Sequence, residues 1–306
     1  MGEYNYKIRL GKMLSLLFIS IICVWGIIYF EINSNSIGSN LGSLFAGILL
    51  PYLFLSIVDL SDNKSWKSSQ RKLKRAGILQ KDTIIRTSFA YLFRIEVDGK
   101  YFLVQNNRTK KYQPVGGAYK FFKEEANYLR DNIPVENDNR IPVNEITERD
   151  YRLLVKNKYL RKFVKRFNNT GYRESSSNFS REFIEELFST GILDKNSFGD
   201  LSYKYIGRHM TNVEYSSVFS HYELLLADII ELELSNEQEE LFRNLMKKDC
   251  TKYYFASSDE IKSLGVMHRA DIFVDDIATH TPKILRGNTD GLTMRNKHKE
   301  VITVQI

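Results

Sequence analysis

Residues 13–30 read MLSLLFISIICVWGIIYF, eighteen positions without a charge. A helix crosses a bilayer's hydrocarbon core with about 17–25 predominantly apolar residues, so this run is long enough to span. Lys12 precedes it and Glu31 follows it. A second uncharged stretch runs from Ile32 to Val58, with the apolar core LGSLFAGILLPYLFLSIV at 41–58. Pro51 would break a helix in water but is accommodated in a transmembrane helix. Gly42 and Gly47, with Ser43 and Ala46, offer small surfaces suited to close helix approach. The polar EINSNSIGSN between the runs permits only a hairpin, so both ends lie on one side. Lys7, Arg9 and Lys12 precede the first helix, and Lys64, Lys67, Arg71, Lys72, Lys74 and Arg75 follow the second. Both clusters obey the positive-inside rule for a cytoplasmic placement, and the second suits anionic headgroups. A signal peptide is disfavoured, because no small-residue cleavage motif follows and a second apolar segment does. A buried soluble hairpin is the alternative, since eighteen residues is near the lower limit.

About 245 residues follow the hairpin, enough for one large domain or one domain with an insertion. With 43% apolar and 13% aromatic residues the chain can build a core, which argues against global disorder. The net charge of +7 suits an anionic membrane surface or an anionic ligand and is too mixed for duplex nucleic acid. Two distant cysteines, Cys23 and Cys250, make neither a disulfide framework nor a metal knuckle, consistent with a reducing compartment.

Three segments are expected: a two-helix transmembrane hairpin over 1–60, a basic juxtamembrane helix or linker over 61–87, and a cytoplasmic α+β domain over 88–306. SFAYLFRIEVDGKYFLVQ at 88–105 reads as two strands joined at Asp98-Gly99, a strong hairpin signal. YQPVGGAY at 112–119 carries Gly116-Gly117, which permits a turn that side chains would block. Residues 120–170 read as an insertion of loop and short extended pieces, ending in a basic, apolar-striped helix over 151–167. SNFSREFIEELF at 177–188 reads as an amphipathic helix capped by Ser177 or Asn178. Strands are expected at 202–208 and 218–233, and KYYFASSDEIKSLG at 252–265 reads as a strand and a capped turn.

In the 177–188 helix Arg181, Glu182, Glu185 and Glu186 share the polar face, opposite Phe183, Ile184, Leu187 and Phe188. Glu182 lies three and four residues before Glu185 and Glu186, so the carboxylates can converge. Like charges so placed call for compensation, and Mg2+ with its preference for carboxylate oxygen is one answer. A solvated amphipathic helix is the plain alternative. The five histidines, including His209, His221, His268 and His280, lack zinc spacing, and Asp271, Asp275 and Asp276 read as a solvated turn.

This helix, placed after YQPVGG, resembles the Nudix family, whose pattern is G-x5-E-x7-R-E-U-x-E-E-x-G-U. Arg181, Glu182, Phe183, Glu185 and Glu186 match its core, and Gly116 and Gly117 match its Gly-Gly turn. The 88–105 strands and KYYFASSDEI resemble its opening strands and its late strand and acidic turn. Departures are specific: the early Glu position holds Arg173, with Glu174 one residue out of register. Phe167 and Phe188 stand where glycines belong, with Gly191 the nearest later glycine. Roughly sixty residues separate the Gly-Gly pair from the helix.

The whole layout resembles the two-transmembrane Nudix effectors of bacterial cyclic-oligonucleotide anti-phage signalling. That resemblance implies a Nudix-like α/β/α sandwich with mixed sheet, inserted at about 120–170. It implies a sensor for a cyclic di- or oligonucleotide made by a functionally linked nucleotidyltransferase, direct contact with which is not predicted. The hairpin would sit in the inner membrane with both termini cytoplasmic, homo-oligomerise on activation and disrupt the bilayer. The departures weigh toward a binding effector that requires no cofactor. Phosphate and base contacts are expected from Arg108, Lys110, Lys111, Tyr112, Gly116, Gly117, Arg208 and His209, since cations neutralise phosphates and aromatics stack bases. Two alternatives differ in class. One is a membrane-tethered, Mg2+-dependent hydrolase of nucleoside diphosphate derivatives acting through Glu182, Glu185 and Glu186. The other is a membrane scaffold with no nucleotide ligand.

Overall fold

The computed structural model describes residues 2–34, 36–61, 65–138, 140, 147–175, 179–265, 276–288, 292–295 and 300–306. The expected cap at Ser177 or Asn178, Lys64, and the group of His268, Asp271 and Asp275 lie outside these residues.

Two helices open the chain, α1 (Gly2–Ile32) and α2 (Ser36–Ser61). Their Leu10–Ile32 and Ser36–Ile57 stretches are long and apolar enough to cross a membrane. Large apolar side chains point away from the protein, with Trp25 73% and Phe54 66% exposed. An exposed apolar surface this continuous is what a lipid-facing hairpin presents. A Cβ on Gly38 would fall 2.6 Å from the Phe30 ring, and one on Gly42 would fall 2.7 Å from Ile27. Gly42 therefore serves contact inside the hairpin, whereas Gly47 has nothing within 4 Å.

Helix α3 (Trp66–Arg75) follows, its first turn capped by Ser65, whose hydroxyl accepts from the Ser68 amide. It is docked on the domain: Trp66 and Gln70 are buried, and Gln70 Nε2 donates to Asn157 Oδ1 at 2.7 Å.

The domain is built on strand β1 (Ile84–Arg94), an aromatic and β-branched run suited to a buried strand. The chain leaves the first sheet at Ile95 and enters a second as β2 (Glu96–Val97) and β3 (Lys100–Gln105). The Asp98-Gly99 hairpin holds, with φ +50° and +74° at the two turn residues, the left-handed pair a type I′ turn demands. The expected two strands are thus three, shared between two sheets. Strands β4 (Tyr112–Gln113) and β5 (Gly116–Ala118) come next. Gly116-Gly117 is therefore strand paired with Leu92 and Tyr91, a correction to the expected turn.

The insertion is more ordered than loop and extended pieces. It holds α4 (Lys123–Asn132), β6 (Val135–Asn137), β7 (Arg152–Lys156) and α5 (Leu160–Asn169). The expected helix over 151–167 begins only at Leu160. Leu153, Leu154 and Val155 instead pair with Thr87, Arg86 and Ile85, because β1 offers a free edge and tertiary pairing overrides local helix pattern.

The helix of the RExxEE motif is α6 (Ser180–Phe183), which widens into a π turn over Ile184–Phe188. After α7 (Lys195–Phe198) come β8 (Leu201–Met210), β9 (Glu214–Ser216) and β10 (His221–Leu232). Helix α8 (Asn236–Met246) leads to β11 (Tyr253–Ala256) and α9 (Ser258–Lys262). Ser257 and Glu260 cap α9 reciprocally, as the strand-and-capped-turn reading requires. A 3-10 turn (Thr281–Ile284) precedes β12 (Leu292–Arg295) and β13 (Val301–Val304).

The large sheet runs β12-β8-β10-β1-β7-β6, with β1 and β10 parallel and β8 antiparallel to β10. The small sheet is β11-β3-β2, with β4 on β3. On one face of β1, Phe89, Tyr91 and Phe93 meet Phe163, Phe167, Phe179 and Phe183 in an aromatic core. Each such ring contributes roughly 1.5–3 kcal/mol by burial. On the other face Leu92, Ala227 and Ile229 pack with Ile277, Ile284 and Leu285. The result is the expected α+β fold with a mixed sheet.

Candidate ligand-binding cleft

A cleft of about 720 Å³ opens between the RExxEE helix, the β3–β4 loop and the insertion. Its floor is acidic. Glu182, Glu185 and Glu186 line it beside Gly116 and Gly117. The glycines are there for close approach. A Cβ on Gly117 would fall 1.9 Å from a Glu182 carboxylate oxygen. Gly116 holds φ +142° and donates its amide to Glu186 Oε2 at 2.8 Å.

Arg181 organises this floor. It lies 2.8 Å from Glu182 Oε1 and 3.3 Å from Glu185 Oε2. Its Nε donates to Glu174 Oε1 at 2.5 Å, and its Nη2 donates to the Ala118 carbonyl. Glu174 also accepts from the Lys120 amide. Although one residue out of register in the motif, Glu174 reaches the motif arginine, next to an isolated bridge between Phe121 and Arg173. The missing late glycine has a similar explanation. The π turn carries the helix further, Phe188 packs on Phe183 and Phe198, and the helix closes at Gly191. Such π turns recur at functional sites.

Burial, aided by the charge of Glu182, pushes the Glu186 carboxyl up to about 8. Glu182 is also raised by burial, against the pull of Arg181. Because its folded-state value stands above the ordinary 4.5, folded Glu186 holds a proton that the unfolded chain releases. Stability therefore falls as pH rises from about 4.5 toward 8. Glu186→Gln is neutral throughout and still accepts from Gly116. It is expected to stabilise by roughly 1–2 kcal/mol near pH 8.5 and by little near pH 5, a difference read by melting across that range.

Among the described residues no group of three His, Cys, Asp or Glu is spaced to hold a metal ion. Glu182, Glu185 and Glu186 have the right chemistry for Mg2+, but Arg181 stands between the first two and Glu186 turns to a backbone amide. As arranged, they do not fit a metal shell.

The rim is basic and amide-rich. Arg108, Arg152 and Lys252 line the cleft with Asn106, Asn107 and Gln113. Asn106 builds the loop carrying Arg108: its Oδ1 accepts from the amides of Arg108 and Thr109, and its Nδ2 donates to Gln113. Lys252 donates to the Thr190 carbonyl, and Arg152 faces Asp150 at 3.4 Å.

Of the residues expected to meet a ligand, Arg108, Gly116 and Gly117 line the cleft together with the three glutamates. Lys110, Lys111 and Tyr112 do not; Tyr112 stacks on Tyr254 and donates to the Thr251 carbonyl. Arg208 and His209 are buried in β8. Arg208 grips Asp228 with two bonds of 2.6 and 2.7 Å, and Asp228 also accepts from Tyr119 and Tyr205. This is an interior ion pair, a correction to the ligand-contact expectation. Asp150, Arg152, Lys252 and the Glu174 brace were missed. Only Glu174 left a signal, its near-register position.

A mixed sheet whose glycine-paired strand receives the carboxylates of an RExxEE helix defines a Nudix-type domain. The SMODS-associated NUDIX domain family matches residues 84–285, well over half of the chain, and the chain belongs to that family. The match begins on the first residue of β1 and ends beyond the 3-10 turn. No curated protein and no solved structure matches the chain.

Proposed function

We propose that the chain is a membrane-tethered effector of cyclic-oligonucleotide anti-phage defence, and that its cleft binds the cyclic di- or oligonucleotide messenger. The observation that carries this reading is the division of the cleft. A cationic rim, whose Arg108 guanidinium has no partner among the described residues, faces an acidic floor that is partly offset. Arg181 contacts both Glu182 and Glu185 and offsets part of their charge, and burial raises Glu182 and pushes Glu186 up to about 8, toward its protonated form. Rim cations suit phosphates, while the carboxylates and the Asn106 and Gln113 amides suit base edges, whose amino groups donate. The volume falls in the range of about 300–1,000 Å³ common to small-molecule sites. Family membership and the two apolar helices support the defence and membrane parts of the reading.

In this reading the hairpin lies in the bacterial inner membrane with both termini cytoplasmic. A functionally linked nucleotidyltransferase supplies the messenger. Bound messenger draws copies together, and the Gly47 side of α2, open in the hairpin, packs between them so that the bilayer is disrupted. No cofactor is required, and Mg2+ is at most an accessory to the glutamates.

The test is calorimetric titration of the full chain in nanodiscs with cyclic di- and trinucleotides, with and without Mg2+, while chromatography follows the ligand. Tight binding of one intact compound supports the sensor. Metal-dependent breakdown that disappears in Glu185→Gln points to a hydrolase, and no binding by folded protein points to a scaffold. Arg108→Ala is expected to weaken binding by about tenfold, the loss of one charge-assisted contact, with an unchanged melting temperature.

A further inference from the structure

Helix α3 carries five cations and no acid, and α5, some ninety residues later, carries four cations and no acid. The fold brings them side by side. Buried Gln70 of α3 donates to Asn157 and accepts from Arg161 Nε of α5 at 2.9 Å. Ser69 Oγ accepts from the Val213 amide at 2.8 Å, and Asn157 Nδ2 donates to the Gln80 carbonyl. These bonds fix which faces turn outward. Lys67, Arg71, Lys74 and Arg75 of α3 and Arg161 and Lys165 of α5 are all exposed. Helix α3 begins only five residues after α2 ends at Ser61.

We propose that α3 and α5 together form a docking platform for the anionic phospholipid surface beside the hairpin. The inference rests on the membrane reading of the two apolar helices. The argument is charge complementarity and tether length. A cationic face held within a few residues of a bilayer crossing meets the negative leaflet potential within one Debye length. Only the folded domain presents the α5 half, so unfolding or displacement of α3 would dissolve the platform. Its occupant is a lipid surface because the cations stand on the outward faces of two short helices, the first of which begins five residues after the apolar hairpin ends.

The test uses the full chain reconstituted in vesicles, either zwitterionic or containing anionic phosphatidylglycerol. Acetylation of individual lysines is quantified by mass spectrometry, with Lys247 and Lys262 as exposed references outside the platform. Labelling of Lys67, Lys74 and Lys165 is expected to drop about threefold or more on anionic vesicles, and to recover in high salt. Lys165→Glu, a surface change with no packing role, is expected to restore much of the labelling of Lys67 and Lys74. Equal labelling on both lipids overturns the platform, as does protection by added RNA in place of anionic lipid. Carbonate extraction of the same samples reports hairpin insertion separately. Protein that is inserted but unprotected refutes the platform alone, whereas protein that is extracted yet protected refutes only the crossing.

Discussion

Asp228→Ala is expected to cost about 3–5 kcal/mol, enough to leave the domain partly or wholly unfolded at room temperature. Asp228 is 1% exposed and takes four hydrogen bonds, two from Arg208 and one each from Tyr119 and Tyr205. Removing it takes the acid from the buried Arg208 guanidinium and the buried Tyr119 hydroxyl, and one acceptor from the half-buried Tyr205. Much of the loss is the desolvation of Arg208, which Asn168 alone does not offset. Urea denaturation or thermal melting of the full chain reads the effect. The informative control is the double variant Asp228→Leu with Arg208→Met. It removes both charges, and most of the lost stability should return, the remaining deficit coming chiefly from the buried Tyr119 hydroxyl. A single variant Arg208→Ala that stayed fully stable yet lost messenger binding would refute the interior assignment and return Arg208 to the ligand.

The second large effect belongs to Gly116→Ala. The residue sits at φ +142°, and a Cβ there would fall 2.2 Å from the Tyr91 carbonyl oxygen and 3.0 Å from the Leu92 Cα. Both obstacles are backbone of β1, the central strand, so neither can rotate aside. Relief requires β5 to move off β1, which breaks the Leu92–Gly116 and Tyr91–Gly117 pairing and withdraws the amide that Glu186 accepts. A loss of about 3 kcal/mol or more follows from the combined clash and strained φ. If the protein still folds, the floor of the cleft is displaced, and binding should fall with stability. Melting and titration of the same variant check both. Wild-type melting and wild-type affinity together would mean that β5 does not lie where the structure has it.

The two variants mark where sequence reading succeeds and where it stops. The apolar runs, the Asp98-Gly99 turn, the Ser257–Glu260 cap and the RExxEE helix are written in residues a few positions apart. Their physics is local: hydropathy over one bilayer thickness, a left-handed turn, a reciprocal cap, a 3.6-residue period. The Gly116-Gly117 pair was visible, but its role was not. A turn and a crowded strand use the same residue, and only the position of Glu182, sixty-five residues on, separates them.

Residues 152–156 were read as helix for a related reason. Their local pattern permits it, and only the open edge of β1 converts them to strand. Arg152 reaches the cleft by that same pairing and Asp150 by a bridge to Lys120, so no motif could announce them. Glu174 reaches Arg181 from one residue outside the motif's register, a contact that spacing rules do not contain.

The sequence by itself determined a two-helix apolar hairpin, an α+β domain behind it and an amphipathic acidic helix, because these depend on local periodicity, turn chemistry and composition; the Nudix reading of that helix came from its resemblance to the family's motif. The tertiary structure alone decided which charges face the cleft and which pair inside: Arg108 at the rim, Arg208 locked on Asp228, and α5 laid beside α3. The reason is physical. A charge's role depends on the partner and the solvent it meets after folding, and those partners stand twenty to ninety residues away along the chain.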